Sequence, residues 1–372
     1  GAVRPLRCRG PPVWSAGPDG PPPGAATRSA GTRRDARIGS GGHVQHDQPA
    51  EPRSALASVL GTLLMSQPMP ALALRRPLAV LALLLAAVPA VGLVPAAADV
   101  GTLWRVRDGA GTVYLAGSLH QLRRDRAELP PSYGQAYGEA ERLVMELDMD
   151  AIRPADLAGE LVGRAIDPQG RSLRDALPPA SWRALQLRLA GLGLPEAAIN
   201  HFEPWAVALL LASAEFLQRG YTPDSGVEGQ LQARAAADRK PIDGLETPAQ
   251  QLELFDGLNR ADQLDLLAVT LKELDGVGPR LEALEGAWRA GDLSRLDVLL
   301  LGDYRQRPDL HQRLVVRRNR AWVAPVRELL RRPDDTLVVV GLMHLLGEQG
   351  LIALLRQQGL KPERFVAGAW LD

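Results

Sequence analysis

The chain has 372 residues, and its 43 basic and 43 acidic side chains give a formal net charge of zero. Hydrophobic residues make up 46% of it, which is enough for an ordinary core, and a single cysteine, Cys8, excludes a disulfide framework within the chain. Beyond residue 98 the balance becomes 33 basic against 39 acidic residues. A mildly acidic chain lacks the basic footprint of nucleic-acid-binding proteins, so we expect no nucleic acid among its partners.

Residues 1–64 are rich in Gly, Pro, Arg and Ala and have almost no apolar periodicity. Such a segment cannot bury enough apolar surface to offset the entropy that it would lose on ordering. Two interpretations remain open. The segment is disordered, or it is an upstream stretch wrongly assigned to a protein that starts at Met65 or Met69.

Residues 65–98 have the pattern of a secretion signal. An arginine pair precedes an apolar stretch, and three alanines at 96–98 offer a cleavage site before Asp99. The stretch is short and interrupted by prolines, which argues against a retained transmembrane helix. We therefore expect export to the periplasm or the medium, with a mature domain of residues 99–372 and no stable membrane anchor.

In the mature part, apolar runs and turn signals predict strands near both ends of the chain and helices between them. The predicted strands are 103–107, 113–116, 143–147, 241–245, 336–340 and 364–367. The predicted helices include 204–219, 227–238, 248–258, 261–274, 278–290, 310–331 and 348–358. This order predicts an α/β (α+β) fold, in which a mixed central sheet carries two β–Gly-x-x-His–α units and the helical middle forms a cap.

Two of the predicted strands end in the same pattern, Gly-x-x-His. Gly117 and His120 follow the second strand, and Gly341 and His344 follow the fifth. Glycine permits the close backbone approach that a Cβ would obstruct, and ligand sites in open α/β sheets form beyond the carboxyl ends of strands. We therefore expect the two histidines, which lie more than two hundred residues apart in the sequence, to share one site.

The third predicted strand ends in carboxylates. Its alternation places Glu146 and Asp148 on one face. A carboxylate in an apolar strand is costly to bury unless it is paired, protonated or bound to a metal. Together with His120 and His344 it would complete a three-ligand set for Zn²⁺, Mn²⁺ or Co²⁺ that leaves a position for water. Asp148 would then orient a ligand histidine, and the metal would supply a hydroxide nucleophile.

Structural interpretations of the same residues remain open. A single histidine at a strand end is commonly a hydrogen-bonding group of the fold, and Glu146 could pair with one of the many arginines. Glu246, at the end of the strand predicted at 241–245, is either a base or ligand near the site or an acid that complements the dipole of a helix starting near Thr247. The repetition of Gly-x-x-His after two strands favours a shared functional site.

Several motifs together resemble the TraB/GumN family. In chain order they are 103–106, 112–120, 143–148, 203–205, 226–228, 240–247, 250–251, 318–319 and 339–350. They follow the family's order from Gly101 to the C-terminus, with two departures. Glu228 stands where many relatives carry aspartate, and Leu342 and Met343 make the second Gly-x-x-His motif more apolar. The family includes the animal TIKI proteins, regarded as metal-dependent proteases, and it is distantly similar to erythromycin esterases and haem-binding ChaN proteins.

The resemblance implies a divalent metal held by the two Gly-x-x-His histidines and Glu146, with Glu146 as ligand or general base and Gly117 and Gly341 supporting the site. It also singles out Arg318 and Asn319 as candidate oxyanion stabilisers or carboxylate clamps. The activity implied is that of an exported hydrolase acting on a peptide or another small molecule. The alternative is a non-catalytic protein that sequesters a peptide or glycan in the same pocket.

Overall fold

The computed structural model describes residues 101–148 and 154–372, and the predictions for residues 1–64 and 65–98 lie outside this part of the chain. Its centre is a seven-stranded mixed sheet with the strand order β6-β4-β7-β2-β1-β8-β9, and β3 and β5 form a separate pair. The strands are β1 Leu103–Arg107, β2 Thr112–Ser118, β3 Leu122–Arg123, β4 Arg142–Met145, β5 Tyr221–Thr222, β6 Ile242–Gly244, β7 Thr336–Gly341, β8 Glu363–Val366 and β9 Ala369–Leu371. The predicted α/β (α+β) class with a mixed sheet is therefore confirmed.

Four adjacent strands, β6, β4, β7 and β2, run parallel to one another, whereas β1 is antiparallel to its neighbours β2 and β8. The predicted turn between the first two strands is confirmed, since β1 and β2 form a hairpin in which Arg107 pairs with Thr112. The last strand, β9, is antiparallel to β8 at the sheet edge. The carboxyl ends of the four parallel strands consequently share one edge of the sheet.

The described part of the chain contains fourteen α-helices, most of them between β4 and β7. They are α1 Pro131–Glu139, α2 Pro154–Ala165, α3 Leu173–Ala176, α4 Pro179–Gly191, α5 Glu196–Ile199, α6 Pro204–Gln218, α7 Val227–Asp238, α8 Pro248–Asp256, α9 Arg260–Glu273, α10 Val277–Ala290, α11 Leu293–Leu301, α12 Pro308–His311, α13 Arg317–Leu329 and α14 Leu351–Gln357. Among these described helices, none is long and apolar enough to cross a membrane.

The sheet is covered on both faces. Leu337 and Val339 of β7 pack into one apolar cluster that includes Trp288 of α10, and Val338 and Val340 pack into another that includes Trp322 of α13. All six residues of β7 are buried, because a strand between two helical layers has no face in water. The near-continuous apolar run at 336–340 is the sequence signature of that position.

A third apolar cluster lies within the helical middle and is built mainly from α4, α6 and α9. Beside it a buried ion network holds the chain between α2 and α6. Asp167 accepts hydrogen bonds from Arg171 at 2.8 Å and from Arg260 at 2.7 Å, and Arg260 also donates to Glu203 at 3.1 Å. The helical middle therefore has an apolar cluster of its own, and its role as a cap stays a prediction.

Two predictions about elements need correction. The helix predicted at 310–331 is interrupted, because residues Gln312–Val316 form a π-helical turn between α12 and α13. This turn buries three consecutive apolar residues, Leu314 to Val316, which an α-helical periodicity does not. The helix predicted at 348–358 begins only at Leu351, after the turn that follows His344.

Candidate active site

The two Gly-x-x-His segments leave the sheet side by side. β2 and β7 are adjacent and parallel, and their register pairs Gly117 with Val340 and Ser118 with Gly341. His344 follows in a 3-10 turn, Leu342–His344, and His120 follows two residues after the end of β2. Both histidines thus emerge at the carboxyl edge of the parallel strands.

Neither glycine leaves space for a side chain. A Cβ at Gly117 would lie 2.5 Å from Leu342 Cδ1, and one at Gly341 would lie 3.1 Å from His120 Nε2 and 3.2 Å from Glu146 Oε1. The last two contacts also locate the site, because His120 Nε2 and Glu146 Oε1 both lie against the backbone of Gly341. Close approach, rather than a left-handed backbone, is the reason for glycine at this position.

Glu146 is the first residue after β4 and is buried next to the end of β7. Its Oε1 accepts the Gly341 N–H at 2.7 Å, and its Oε2 accepts hydrogen bonds from Arg318 and, at 3.3 Å, from Gln251. Burial alone would raise the pKa of this carboxyl, but attraction to the nearby histidines in their protonated forms and to Arg318, together with the Gly341 N–H, lowers it below its usual value. Glu146 is therefore an ionised, fully engaged carboxylate.

His344 is also buried and its ring is fixed by two neighbours. Its Nδ1 donates to Asn319 Oδ1 at 2.7 Å, and the Asn319 amide is oriented by a 2.8 Å hydrogen bond to the Gln349 carbonyl. Burial lowers the pKa of His344 to about 3, so the ring is neutral near pH 7. With the proton on Nδ1, the lone pair on Nε2 points at Arg318 and Glu146, which lie 2.9 Å and 3.8 Å away.

His120 is more exposed and is oriented by Glu228. Its Nδ1 lies 2.8 Å from Glu228 Oε1, the same oxygen that accepts a hydrogen bond from Ser118. A carboxylate only accepts, so Nδ1 carries a proton and Nε2 is left to face Glu146. Glu228 raises the pKa of His120 to about 9, although water around the exposed ring screens part of this attraction. In the protonated ring Nε2 also carries a proton, which a metal ion would have to displace.

The contact between His120 and Glu228 depends on Gly226. Glu228 lies in the first turn of α7, and Gly226 is the N-cap of that helix. A Cβ on Gly226 would lie 2.1 Å from the His120 carbonyl oxygen, so only glycine allows the helix to start this close to the histidine. The Val227 N–H, which donates to the Leu119 carbonyl at 3.1 Å, secures the same approach.

Arg318 connects the remaining residues of the site. Its guanidinium forms a forked ion pair with Glu246, at 2.8 Å and 2.9 Å, and it also contacts Glu146 and His344. Glu246 accepts a further hydrogen bond from Trp322 Nε1 at 3.1 Å. Thr247, not Glu246, caps α8, since its hydroxyl accepts the Gln250 N–H. The sequence left these two interpretations of Glu246 open, and its contacts place it with the site.

The structure therefore brings seven of the predicted site residues to one sheet edge: Gly341, Glu146, His120, His344, Arg318, Asn319 and Glu246. Gly117 lies on β2 just before His120, and its carbonyl accepts the Trp288 N–H at 2.9 Å. Asp148 is half-buried two residues past Glu146, and its orienting role stays a prediction. Both histidine Nδ1 atoms are already bonded, one to Glu228 and the other to Asn319.

Sequence reasoning assigned no role to Glu228, Gln251 or Trp322. The motifs at 226–228 and 250–251 were the available signals, because both were part of the family resemblance. Trp322 carried no such signal, since a tryptophan on a helix is typical of a core. In the structure Trp322 belongs to the apolar core and also to the candidate site, because its buried ring lies 4.6 Å from the His344 ring and 4.8 Å from the Arg318 guanidinium carbon.

Comparison with known proteins identifies the family. The sequence profile of the TraB/PrgY/gumN family matches residues 102–364. The chain belongs to this family. It is similar to YbaP of Escherichia coli (strain K12), a protein described as uncharacterized, with 25% identity over 244 residues that cover 65% of this chain and 87% of YbaP. YbaP of Shigella flexneri matches to the same extent, and no solved structure gives a significant match.

The residues gathered at this sheet edge include donors that a divalent ion can use. Two imidazoles keep Nε2 for the site because Nδ1 is engaged elsewhere, which is the usual arrangement of metal-binding histidines, and Glu146 supplies a carboxylate. Among the described residues, however, no three His, Cys, Asp or Glu side chains are gathered in the arrangement that holds a metal ion. The guanidinium of Arg318 takes the Nε2 of His344 and one oxygen of Glu146 instead.

Proposed function

We propose that this protein is a metal-dependent hydrolase, with peptide bonds as the substrate class, and that His120, His344 and Glu146 hold a divalent Mn, Co or Zn ion. The observation that supports this proposal is the orientation of the two imidazoles. Each has its Nδ1 fixed by a neighbouring oxygen, from Glu228 or Asn319, and each presents Nε2 at the sheet edge where Glu146 lies. Two histidines whose Nε2 atoms lie near the same carboxylate provide the donor types that metal sites use.

A divalent ion bound there would lower the pKa of a bound water and polarise a carbonyl group. The chain's own residues then have distinct roles. Glu146, as an ionised carboxylate, would act as a ligand or as the general base that accepts a proton. Arg318, with five N–H donors, can donate to a carbonyl oxygen that gains negative charge. Asn319 is completely buried with its amide engaged at both ends, so it positions His344 rather than contacting substrate.

Metal content and peptide cleavage test this proposal together. Protein purified without chelators is analysed by mass spectrometry for bound metals and is assayed against a peptide library with Mn²⁺, Co²⁺ or Zn²⁺ added. We expect His120→Ala and His344→Ala to lose both metal and cleavage. His201→Ala is the matched control, because this histidine lies outside the site and bonds the Gly170 carbonyl at 3.0 Å. Metal and cleavage retained in both site variants would refute the proposal.

A non-catalytic binding protein is the second candidate function, and the contacts of Arg318 favour it. The Arg318 guanidinium occupies His344 Nε2 and one oxygen of Glu146, so the site as it stands could hold a peptide or glycan without a metal ion and without turnover. On this proposal the wild-type protein binds such a ligand in the presence of chelator and cleaves nothing with any metal added. Cleavage that depends on added metal would exclude it.

We also propose that the protein works outside the cytoplasm, in the periplasm or the medium, after cleavage before Asp99. The basic, apolar and small-residue order of residues 65–98 supports this proposal. Cell fractionation followed by mass spectrometry of the N-terminus tests it. An N-terminus at or near Asp99 in the periplasmic fraction is the expected result, whereas a longer chain found only in the cytoplasm would contradict it.

A further inference from the structure

Arg318 has an unusual set of partners for an arginine near a candidate metal site. Its side chain is only 11% exposed, and its guanidinium donates to the carboxylates of Glu246 and Glu146 and to the Nε2 of His344. The Leu314 carbonyl accepts a further hydrogen bond at 3.3 Å. The positive charge that two acidic side chains require is therefore supplied by the chain itself.

Arg318 and a metal ion would need the same atoms. A neutral imidazole nitrogen has one lone pair, and the lone pair of His344 Nε2 accepts the Arg318 N–H at 2.9 Å. The same nitrogen cannot bind a metal ion while that hydrogen bond exists. Glu146 Oε2 is likewise engaged by Arg318, so binding of the ion requires the guanidinium to move away from both groups.

The guanidinium also has an anchor that a metal ion would not disturb. Its forked ion pair with Glu246 is made on the side of the Trp322 ring, over which the guanidinium carbon lies at 4.8 Å. Arg318 can give up His344 and Glu146 and remain bonded to Glu246. Because arginine stays charged at all relevant pH values, the competition does not disappear when the pH changes.

We propose that Arg318 is an internal cation that competes with the divalent ion for His344 and Glu146, and thereby sets how tightly the protein binds metal. This inference rests on the proposed metal site. It assigns to Arg318 a role opposite to that of a supporting residue, since a side chain that orients metal ligands raises affinity and a competing cation lowers it. The sign of the change on removing Arg318 therefore decides between the two roles.

The test is a titration of the full chain with Mn²⁺ alone, in which calorimetry measures the dissociation constant. We expect Arg318→Gln to bind Mn²⁺ about tenfold or more tightly than the wild type, which corresponds to about 1.4 kcal/mol. Arg320→Gln is the matched control, because it removes the same charge from an exposed position on the same helix. Its affinity is expected to stay within about twofold of the wild type, since exposed charges are screened.

A second comparison covers the case in which Arg318→Gln does not fold because two carboxylates lose their cation. The double variant Glu246→Gln/Arg318→Gln keeps the net charge of the site and is compared with Glu246→Gln. The double variant is expected to bind Mn²⁺ more tightly than the single one.

The outcomes separate the two proposals. If the wild type binds Mn²⁺ and Arg318→Gln binds it equally or more weakly, this inference is overturned and the proposed metal site still stands. Absence of Mn²⁺ binding in the wild type and in every variant overturns both. Binding that is detected only when Arg318 is removed supports the competition most directly.

Discussion

Replacing Glu146 by glutamine tests the electrostatics of the site without changing the shape of the side chain. A carboxyl whose pKa is lowered on folding stabilises the folded protein in its ionised form. Loss of one partner from a buried ion pair, here with Arg318, independently costs about 3–5 kcal/mol. We therefore expect Glu146→Gln to lower the free energy of unfolding at pH 7 by about 3 kcal/mol.

The lowered pKa of Glu146 also predicts how the difference in unfolding free energy between wild type and variant changes with pH. Since folding lowers the pKa of Glu146, its contribution is complete above pH 4.5 and is lost as the pH falls towards 2. The difference between wild type and variant should therefore be constant from pH 7 to 5 and shrink below pH 4.5. The difference is the quantity to measure, because burial of His344, which lowers its pKa to about 3, makes both proteins less stable in acid.

The assay is urea denaturation followed by tryptophan fluorescence, at several pH values and with chelator present. Glu328→Gln is the control, since this glutamate and its partner Arg331 are mostly exposed and such pairs contribute about 0–1 kcal/mol. A difference between wild type and Glu146→Gln that stays the same from pH 5 to the lowest accessible pH would refute the argument. The cost would then come from packing rather than from charge.

Three further predictions concern the residues around the site, each measured as the free energy of unfolding. Gly341→Ala is expected to cost about 1–3 kcal/mol, because its Cβ would lie 3.1 Å from His120 Nε2; Gly138→Ala, with open space around it, should cost nothing. Asn319→Ala should cost about 2–4 kcal/mol, since it leaves the His344 N–H without a partner in a buried site. Trp288→Phe should cost less than Asn319→Ala, because the Gly117 carbonyl keeps the Tyr133 hydroxyl at 2.6 Å; an equal cost would contradict this reasoning.

The central strands were predictable because a buried strand has a short apolar run that can be recognised in the sequence. β1 has the predicted bounds, and β7 differs from its predicted range by one residue, since β-branched and apolar runs flanked by turn residues have few alternative structures. In contrast, β3 and β5 are only two residues long and pair across about a hundred residues. No local sequence pattern predicts such a short pair of strands. The pair nevertheless holds the chain in place directly after His120.

The residues of the candidate site that lie at strand ends were predictable from local patterns, whereas those that reach it from helices were not. Gly117, Gly341 and both histidines lie at or just beyond the ends of strands that the sequence predicted. The alternation of the strand predicted at 143–147 placed Glu146 on the face opposite to that of Met145. The partners that orient the histidines were harder, because Glu228 and Asn319 lie on helices and reach the site through tertiary packing. Arg318 illustrates the limit. The family resemblance distinguished it from the other arginines of its helix, but only the fold shows that it contacts His344 and Glu146.

The position of β7 in the sheet has a consequence for the order in which the protein can be made. β7 lies between β4 and β2, yet it is encoded near residue 340, after almost all of the helices. Until β7 has been synthesised, β4 and β2 have no strand between them, and each presents an apolar, unpaired edge. A growing chain must therefore keep these edges from pairing with other molecules until synthesis is nearly complete.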